Sequence, residues 1–263
     1  MFTLPDIRRL IAGALLLLIF GLIGWAQLDS ARDPDRWQGE VIATYPHDPS
    51  AFTQGLTINQ GKLYESTGQY GNSSLRRVHL ESGRIEKILE LGENYFGEGI
   101  TIFGKKLYQL TWRSRIGFVY DLETFDVVNT FGFSGEGWGL TNDNQHLIVS
   151  DGSSSVRFLD PETFNVIKRI NVKENNLPVT QLNELEYING EIWANIWHED
   201  RIARISPRTG EILGWVDLSD LYPRSSRGNE DVMNGIAFDQ KTQSLFITGK
   251  NWPSLFEIKI TQL

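Results

Sequence analysis

Glu98-Gly99-Ile100-Thr101 is one copy of a short pattern that the chain repeats, each time followed by a turn and an apolar run. The five copies are Gln54-Gly55-Leu56-Thr57, Glu98-Gly99-Ile100-Thr101, Trp138-Gly139-Leu140-Thr141, Glu184-Leu185-Glu186-Tyr187 and Asn234-Gly235-Ile236-Ala237. The glycine-like positions 55, 99, 139, 185 and 235 lie 44, 40, 46 and 50 residues apart, which matches the period of a four-stranded propeller blade. We therefore predict an all-β fold, a five-bladed β-propeller.

Each repeat continues with a second alternating segment and an acidic turn. In the second repeat, residues 116–120 lead into Asp121-Leu122-Glu123-Thr124-Phe125, and residues 127–131 follow as a further strand. Such alternation marks half-buried strands, and Asp and Thr between them mark tight turns. The last repeat has only three residues after residues 255–260 and lacks an outer strand. We predict that residues 39–45 supply this strand and close the ring.

The N-terminal segment has the pattern of a leader. Residues 10–26 are uncharged and mostly apolar, and they follow Arg8 and Arg9, as in a signal peptide or a membrane anchor. The run is shorter than the about 20 residues of a spanning helix, yet residues 24–27 make a poor cleavage site, so both alternatives stay open. We expect residues 1–35 to be this hydrophobic helix with a short linker, and residues 36–263 to be the exported propeller domain, periplasmic or extracellular, anchored by residues 10–26 if the leader is retained.

Composition excludes several classes of protein. The chain has no cysteine, so it has no disulfide, thiol nucleophile or thiolate metal site. A net charge of -8 argues against a nucleic-acid partner, which would need a basic stripe. We expect a monomer that meets the membrane only through its N-terminal segment.

In a propeller, the start of each innermost strand and the end of the next strand face one mouth of the central channel. The first set of positions is Gln54, Glu98, Trp138, Glu184 and Asn234, and the second is Gly68, Trp112, Gly152, Trp197 and Lys250. Together they predict a small-molecule pocket with apolar walls and a few polar groups. Glu98 is the candidate catalytic carboxylate, and the alternative is a solvated carboxylate in a propeller without enzymatic activity.

We expect mostly structural roles for the other polar residues that the sequence singles out. The four histidines, His47, His79, His146 and His198, fit no metal-binding spacing. His198 follows Trp197 and is expected near the pocket, and the others are expected on the surface or in turns. We expect Glu65 and Asp151 to accept hydrogen bonds from strand-end amides. No metal or cofactor is expected.

Several longer segments resemble glutaminyl-peptide cyclotransferases of the plant and bacterial type. They are His47-Asp48-Pro49-Ser50-Ala51-Phe52-Thr53-Gln54-Gly55-Leu56, Glu65-Ser66-Thr67-Gly68-Gln69-Tyr70-Gly71, Tyr95-Phe96-Gly97-Glu98-Gly99-Ile100-Thr101, Leu182-Asn183-Glu184-Leu185-Glu186-Tyr187, Trp193-Ala194-Asn195-Ile196-Trp197 and Met233-Asn234-Gly235-Ile236-Ala237. The resemblance extends from about residue 40 to the C-terminus. It implies a five-bladed propeller enzyme that converts the N-terminal glutamine of peptides or proteins to pyroglutamate and releases ammonia.

The resemblance also implies a set of site residues. They are Phe52, Gln54, Phe96, Glu98, Trp112, Trp138, Asn183, Trp197 and Lys250. In this reaction the α-amine of the substrate attacks its own carboxamide, so no enzyme nucleophile is needed. We expect Glu98 to act as general base and then acid. Lys250, Asn183 and the indole N–H of Trp112 or Trp197 are the candidate oxyanion donors.

The remaining aromatic and polar groups are expected to bind substrate. Phe52, Phe96 and the indoles would exclude water, and Gln54 would hydrogen-bond the substrate amide. Two other functions stay open. One is a propeller that binds peptides without catalysis. The other is a metal-dependent hydrolase, which would use positions 98, 183, 184 and 234 as ligands.

Overall fold

The computed structural model describes residues 33–263 of the chain. The strands are β1 (Asp35–Pro46), β2 (Thr53–Asn59), β3 (Lys62–Thr67), β4 (Ser74–His79), β5 (Ile85–Glu90), β6 (Gly97–Phe103), β7 (Lys106–Thr111), β8 (Ile116–Asp121), β9 (Val127–Gly132), β10 (Leu140–Asn142), β11 (Leu147–Val149), β12 (Ser155–Leu159), β13 (Val166–Asn171), β14 (Lys173–Glu174), β15 (Leu177–Pro178), β16 (Leu182–Ile188), β17 (Glu191–Ile196), β18 (Arg201–Ile205), β19 (Ile212–Asp217), β20 (Met233–Asp239), β21 (Ser244–Gly249) and β22 (Ser254–Gln262). A 3-10 helix spans Arg224–Ser226.

The acidic turns between strands follow directly from their sequence. The Asp121 carboxylate accepts hydrogen bonds from the backbone N–H groups two and three residues later, at 3.0 and 2.9 Å, and Asp160 does the same at 3.0 and 2.7 Å. Asp is favoured in turns because its side chain can satisfy these amides. Phe125 and Phe164, which close the two turns, both have φ of 59°. Phe125 is buried, and Phe164 stacks on Phe131 with ring centroids 4.1 Å apart.

Most strands form antiparallel four-stranded units in which sequence neighbours pair. Unit 1 is β2–β5, unit 2 is β6–β9, unit 3 is β10–β13, unit 4 is β16–β19, and unit 5 is β20–β22 with β1 as its fourth strand. The short hairpin β14–β15 lies between units 3 and 4 in the chain, and the sequence pattern did not predict it.

The N-terminal strand completes unit 5. β1 pairs antiparallel with β22 over nearly its whole length, with Gly39 opposite Ile260 and Tyr45 opposite Leu255. The predicted closure by residues 39–45 is therefore confirmed. The same strand also pairs in parallel with β19, through Asp35–Gln38, so units 4 and 5 share one eight-stranded sheet.

Hydrophobic cores lie between consecutive units. Within residues 33–263, Tyr64 and Leu75 of unit 1 pack in one cluster with Leu107 of unit 2, and further clusters join units 2 and 3, 3 and 4, and 4 and 5. A last cluster joins Leu56 of unit 1 to Phe246 of unit 5. The innermost strands β2, β6, β10, β16 and β20 contact one another in the same cyclic order. The apolar faces of each unit are thus buried against both neighbours.

The all-β prediction is confirmed for the described residues. The predictions of an N-terminal helix, a leader and membrane anchoring by residues 10–26 concern residues outside this part of the chain. Between residues 33 and 263, no helix has the length and apolar character needed to cross a membrane.

Candidate active site

Bulges near the start of the innermost strands position the polar site residues. The register of β2 against β3 shifts between Thr53 and Gly55, and that of β6 against β7 shifts between Gly97 and Ile100. β16 and β20 shift in the same way. A bulge adds one residue to one strand and redirects its side chain. Gln54, Glu98, Asn183 and Asn234 occupy these bulges.

One cavity of about 250 Å³ gathers the predicted site residues. Its lining consists of Phe52, Gln54, Gln69, Phe96, Glu98, Trp112, Trp138, Asn183, Trp197, Glu230 and Lys250. All nine residues named from the sequence lie on this cavity, and Gln69 and Glu230 are additional. Gln69 follows a predicted second-ring glycine. Glu230 lies in a loop outside the repeat, so no sequence pattern pointed to it.

Glu98 is the carboxylate of this cavity. Its residue is only 3% exposed, and its one hydrogen-bond donor within residues 33–263 is Gln54 Nε2, at 3.3 Å. Burial raises the pKa of the Glu98 carboxyl well above its ordinary value. The charge of Lys250 opposes this rise, and that of Glu136 adds to it. A carboxylate so weakly stabilised is a strong proton acceptor for its type.

The side chain of Gln54 is oriented by a neighbour from unit 5. Asn234 Nδ2 donates to Gln54 Oε1 at 3.1 Å and to the Thr53 carbonyl at 2.9 Å. This fixes the oxygen of the Gln54 amide toward Asn234 and its nitrogen toward Glu98. Gln54 is expected to bind the substrate amide, and in this structure its side chain lines the cavity and donates to Glu98.

Lys250 brings a cation to the same cavity. Its backbone N–H donates to the Val232 carbonyl at 2.9 Å, and its Nζ lies 4.7 Å from the centroid of the Phe52 ring. A cation over an aromatic face is attracted by the ring quadrupole. Burial lowers the pKa of Lys250, and the negative charges of Glu98 and Glu230 act in the opposite direction. The cavity therefore holds a carboxylate and an ammonium that are both poorly solvated.

The indole groups differ in their hydrogen bonding. Trp112 Nε1 and Trp138 Nε1 both donate to the same oxygen of Glu136, at 2.7 and 3.0 Å. Arg113 donates to the other Glu136 oxygen at 3.1 Å. Trp112 is therefore not the free oxyanion donor that the sequence suggested, because its N–H is already engaged. Glu136 fixes two walls of the cavity instead.

Two other donors at the cavity are free. Trp197 Nε1 is buried and has no partner among residues 33–263, and the Trp197 ring packs edge-on against Trp138 at 5.8 Å. The side-chain amide of Asn183 likewise makes no hydrogen bond with the described residues, and Asn183 is buried. A buried donor without a partner is costly, and both residues line the cavity.

The fourth repeat is offset by one residue from the predicted alignment. After the bulges, Ile100 pairs with Gln109 and Leu185 pairs with Ala194, so Asn183 is the counterpart of Glu98 and Glu184 is the counterpart of Gly99. The glycine-like positions are therefore 55, 99, 139, 184 and 235. An added Cβ at Gly99 would lie 2.4 Å from Leu140 N, which explains why glycine occurs in the second repeat.

Glu184, placed in the cavity ring from the sequence, lies away from the cavity instead. Its carboxylate accepts hydrogen bonds from Ile236 N at 2.9 Å and from Leu56 N at 3.4 Å, so it ties unit 4 to units 5 and 1. Among residues 33–263, no three His, Asp or Glu side chains are grouped as metal ligands. Glu184 and Asn234, which the hydrolase alternative would need, contact backbone groups of neighbouring strands.

The structure also revises the expectation for His47 and Glu65. His47 is buried rather than on the surface, and its Nε2 lies 2.9 Å from Glu65 Oε1. Glu65 accepts a further hydrogen bond from Thr53 Oγ1 at 2.7 Å, so its partners are side chains and not strand-end amides. Asp151 does accept a backbone amide, from Ser153 at 3.2 Å. His198 stacks near Trp197 at 4.2 Å but does not line the cavity.

Comparisons with known proteins agree on one family. A family model described as glutamine cyclotransferase matches residues 14–260. The glutaminyl-peptide cyclotransferase of Arabidopsis thaliana is 44% identical over 263 residues, which cover 96% of this chain and 82% of that protein. The crystal structure of Myxococcus xanthus glutaminyl cyclase aligns with a TM-score of 0.84 and 39% identity, covering 88% of this chain and 100% of the other. The chain therefore belongs to the glutamine cyclotransferase family.

Proposed function

We propose that this enzyme converts the N-terminal glutamine of peptides or proteins to pyroglutamate, with Glu98 as the group that moves the proton. The observation that carries the proposal is the buried Glu98 carboxylate, which has a single amide donor and faces an aromatic cavity of about 250 Å³. A cavity near the lower end of the range for small-ligand sites suits one glutaminyl residue. The family membership of the chain supports the same reaction.

The first step is proton removal and attack. The α-amine of the substrate has an ordinary pKa of about 7.7 to 8.0 and is mostly protonated at neutral pH. This ammonium loses one proton to solvent, and the freed lone pair attacks the carboxamide carbon while Glu98 takes a second proton from the same nitrogen. A C–N bond forms and closes a five-membered ring, while the carbonyl oxygen gains negative charge. Positioning of the two groups in near-attack geometry supplies much of the rate.

The second step is collapse of this intermediate. Lys250, Trp197 Nε1 and the Asn183 amide are the donors proposed for the oxyanion, because none of them has a hydrogen-bond acceptor of its own among residues 33–263. Glu98, now protonated, gives its proton to the departing nitrogen. The C–N bond of the carboxamide breaks, ammonia leaves, and Glu98 is again a carboxylate. Removal of one such donor typically costs about 10²- to 10³-fold in rate.

The aromatic walls are proposed to protect the reaction from water. Phe52 and Phe96 meet edge to face at 6.2 Å, and Phe96 lies 5.5 Å from Trp112. This continuous apolar surface raises the effective strength of the Glu98 and Lys250 charges. It also favours cyclisation over hydrolysis of the side chain to glutamate.

For the fold, we propose that units 1–5 are the blades of a five-bladed propeller. The cyclic order of contacts among the innermost strands and the cluster that joins unit 5 to unit 1 support this arrangement. A crystal structure in which the five units do not surround one axis would reject it.

For location, we propose an exported, monomeric enzyme that is periplasmic or extracellular and meets the membrane only through residues 10–26. The charge pattern around that apolar run supports export. Cell fractionation with detection of this chain, followed by light scattering of the purified protein, tests both statements. Recovery with cytosolic markers, or a dimer at low concentration, would contradict them.

The function is tested by incubating the purified enzyme with a short glutaminyl peptide. Mass spectrometry should show the loss of one ammonia from the N-terminal residue, and the matched peptide with N-terminal asparagine should stay unchanged. Binding of the peptide without mass loss would favour the non-catalytic propeller. Loss of activity with a chelator, restored by a divalent metal, would favour the metal-dependent alternative.

A further inference from the structure

A second and larger cavity adjoins the active site. It has a volume of about 710 Å³ and shares Phe52, Gln69 and Glu230 with the catalytic cavity. From this boundary it extends over unit 1, along the loop between β3 and β4, to Glu90 at the end of β5. We call it the outer groove. Because the two cavities have lining residues in common, a ligand that fills the first can continue into the second.

Side-chain pairs close the rim of the catalytic cavity on other sides. On units 2 and 3, the Arg113 guanidinium lies 3.8 Å over the Trp112 ring and pairs with Glu136. On unit 4, Arg224 donates to the His198 carbonyl at 2.6 Å and pairs with Asp200 at 2.8 Å. A basic peptide that left the cavity past Trp112 or Trp197 would meet these arginine cations.

The outer groove contains two glycines, Gly68 and Gly71. A Cβ at Gly68 would lie 2.2 Å from the Phe96 ring, so this position cannot carry a side chain without a shift. Gly71 has open space around the place of a Cβ and a φ of +77°. The open space at Gly71 and the shared lining residues leave room for chain to pass from the catalytic cavity into the outer groove.

The charge of the outer groove is negative. Glu230 at its inner end and Glu90 at its outer end are exposed, and neither forms an ion pair within residues 33–263. Its buried cation, Arg76, is already neutralised by Asp48 at 2.8 Å and by Glu65 at 3.9 Å. Two carboxylates without an ion pair thus line the groove, and the charge of Lys250 acts on Glu230 only from the side of the catalytic cavity.

We propose that the outer groove binds the residues that follow the N-terminal glutamine of the substrate and selects for lysine or arginine among them. The proposal rests on the proposed function, because it takes the catalytic cavity as the site of the glutaminyl residue. The preferred substrates would therefore have basic residues among the first few positions after glutamine.

Matched tetrapeptide amides test this preference. The second and fourth residues are alanine after N-terminal glutamine, and the third is Lys, Ala or Glu. One exposed ion pair is worth about 0.2–1 kcal/mol, so kcat/KM should be about twofold to fivefold higher for Lys than for Ala at low salt. The order should be Lys, Ala, Glu, and the differences should shrink in 0.5 M salt because exposed charges are screened.

Charge variants show whether the groove causes the preference. In Glu90→Gln/Glu230→Gln, the Lys-to-Glu ratio of kcat/KM should fall toward one, and in Glu90→Lys it should fall or invert. Glu162→Gln removes the same charge from the turn between β12 and β13, which carries no groove residue, and should keep the wild-type ratio. The ratio is taken within each variant, so a change in overall rate or folded fraction cancels.

The outcomes of these assays separate the proposed function from the proposed role of the outer groove. No ammonia release from any of the peptides would overturn the proposed function. Release from all three with equal kcat/KM in the wild type, or with a preference that survives in the double variant, would overturn the outer groove as the subsite while the proposed function stands.

Discussion

Two buried carboxylates, Glu65 and Glu98, sit in opposite electrostatic surroundings. Both are nearly inaccessible, at 1% and 3% exposure. Glu65 contacts His47 at 2.9 Å and Thr53 Oγ1 at 2.7 Å, and Arg76 lies 3.9 Å away. Glu98 receives one amide hydrogen bond at 3.3 Å. Burial alone would raise the pKa of both carboxyls.

The partners decide what each carboxylate does. His47, Arg76 and Thr53 outweigh burial and hold the pKa of Glu65 below its ordinary value. The charge of Lys250 does not outweigh burial at Glu98, whose pKa stays well above its ordinary value. A carboxylate with satisfied partners stabilises the fold and stays ionised, whereas one that is poorly satisfied takes up a proton more readily. Burial by itself therefore does not identify a catalytic acid or base.

Glu98→Gln should have the largest effect, a loss of catalysis without a loss of stability. We expect kcat/KM for a glutaminyl peptide to fall by about 10²- to 10⁴-fold, the usual share of a general base. The variant should unfold at the same or a higher temperature, because an uncompensated buried carboxyl is removed. Ammonia release and thermal unfolding measure the two effects. Full activity in a folded variant would remove Glu98 from its proposed role.

Lys250→Met should slow the reaction and shift the pKa of Glu98 further from that of Glu65. We expect a loss of about 10²- to 10³-fold in kcat, as for removal of an oxyanion donor. Because the Lys250 charge lowers the pKa of Glu98, its removal should raise that pKa further. The acid limb of the pH profile of kcat/KM should then move to higher pH. Lys241→Met, an exposed lysine outside the catalytic cavity, is the matched control and should leave both unchanged.

Glu65→Gln should act on stability. It leaves His47 and Arg76 without their buried carboxylate, and breaking a buried ion pair costs about 3–5 kcal/mol. Urea unfolding at pH 6 measures the change in the free energy of unfolding. Glu86→Gln, which removes an exposed carboxylate paired with Arg77 and Arg84, should cost less than about 1 kcal/mol. Equal costs for the two variants would contradict the distinction between the sites.

The pH dependence of the stability lost in Glu65→Gln is the smallest of these effects. Burial lowers the pKa of His47, but Glu65, the Trp252 carbonyl and Asp48 outweigh it and raise it overall. The Glu65 contribution is present above its unfolded pKa of about 4.3 and is lost as the pH falls through its lower folded value. The His47 contribution is present below about pH 6.5 and is lost as the pH rises through its folded value.

The difference in stability between wild type and Glu65→Gln should therefore be largest from about pH 4.5 to 6.5. Glu98 should have the opposite effect on stability, because its pKa in the folded state is raised. Wild type should therefore lose stability relative to Glu98→Gln as the pH rises above about 4.3. Urea unfolding over a pH series checks both slopes. Parallel curves for the two variants would contradict the assignment.

The sequence predicted the strands and the cavity well because both follow from periodicity. Alternation and Asp-containing turns are local, and positions that recur at a 40- to 51-residue interval gather where equivalent strands start. The fourth repeat has Glu184 where the other repeats have glycine, so the pattern placed it one residue too far along the chain, and Glu184 was assigned to the place that Asn183 occupies.

Contacts between side chains that are far apart in the sequence could not be predicted from the repeat pattern either. Nothing local links His47 to Glu65 or Trp112 to Glu136, because these pairs form only after separate strands and loops meet. Glu230 lies in an irregular loop and Gln69 follows a glycine of the second ring, so neither had a repeat position that would mark it. The resemblance of longer segments, rather than the repeat alone, identified Phe52, Phe96 and Asn183.

The pairing of β1 with both β22 and β19 has a consequence for biosynthesis. Asp35–Pro46 is made long before its partners, because β19 begins at Ile212 and its main partner, β22, begins at Ser254. Until then β1 is a bare strand edge, which is prone to pair with other chains. Unit 5 therefore gains its fourth strand only after β22 has been made, and a nascent chain arrested before residue 254 should need chaperone protection that the paired chain does not.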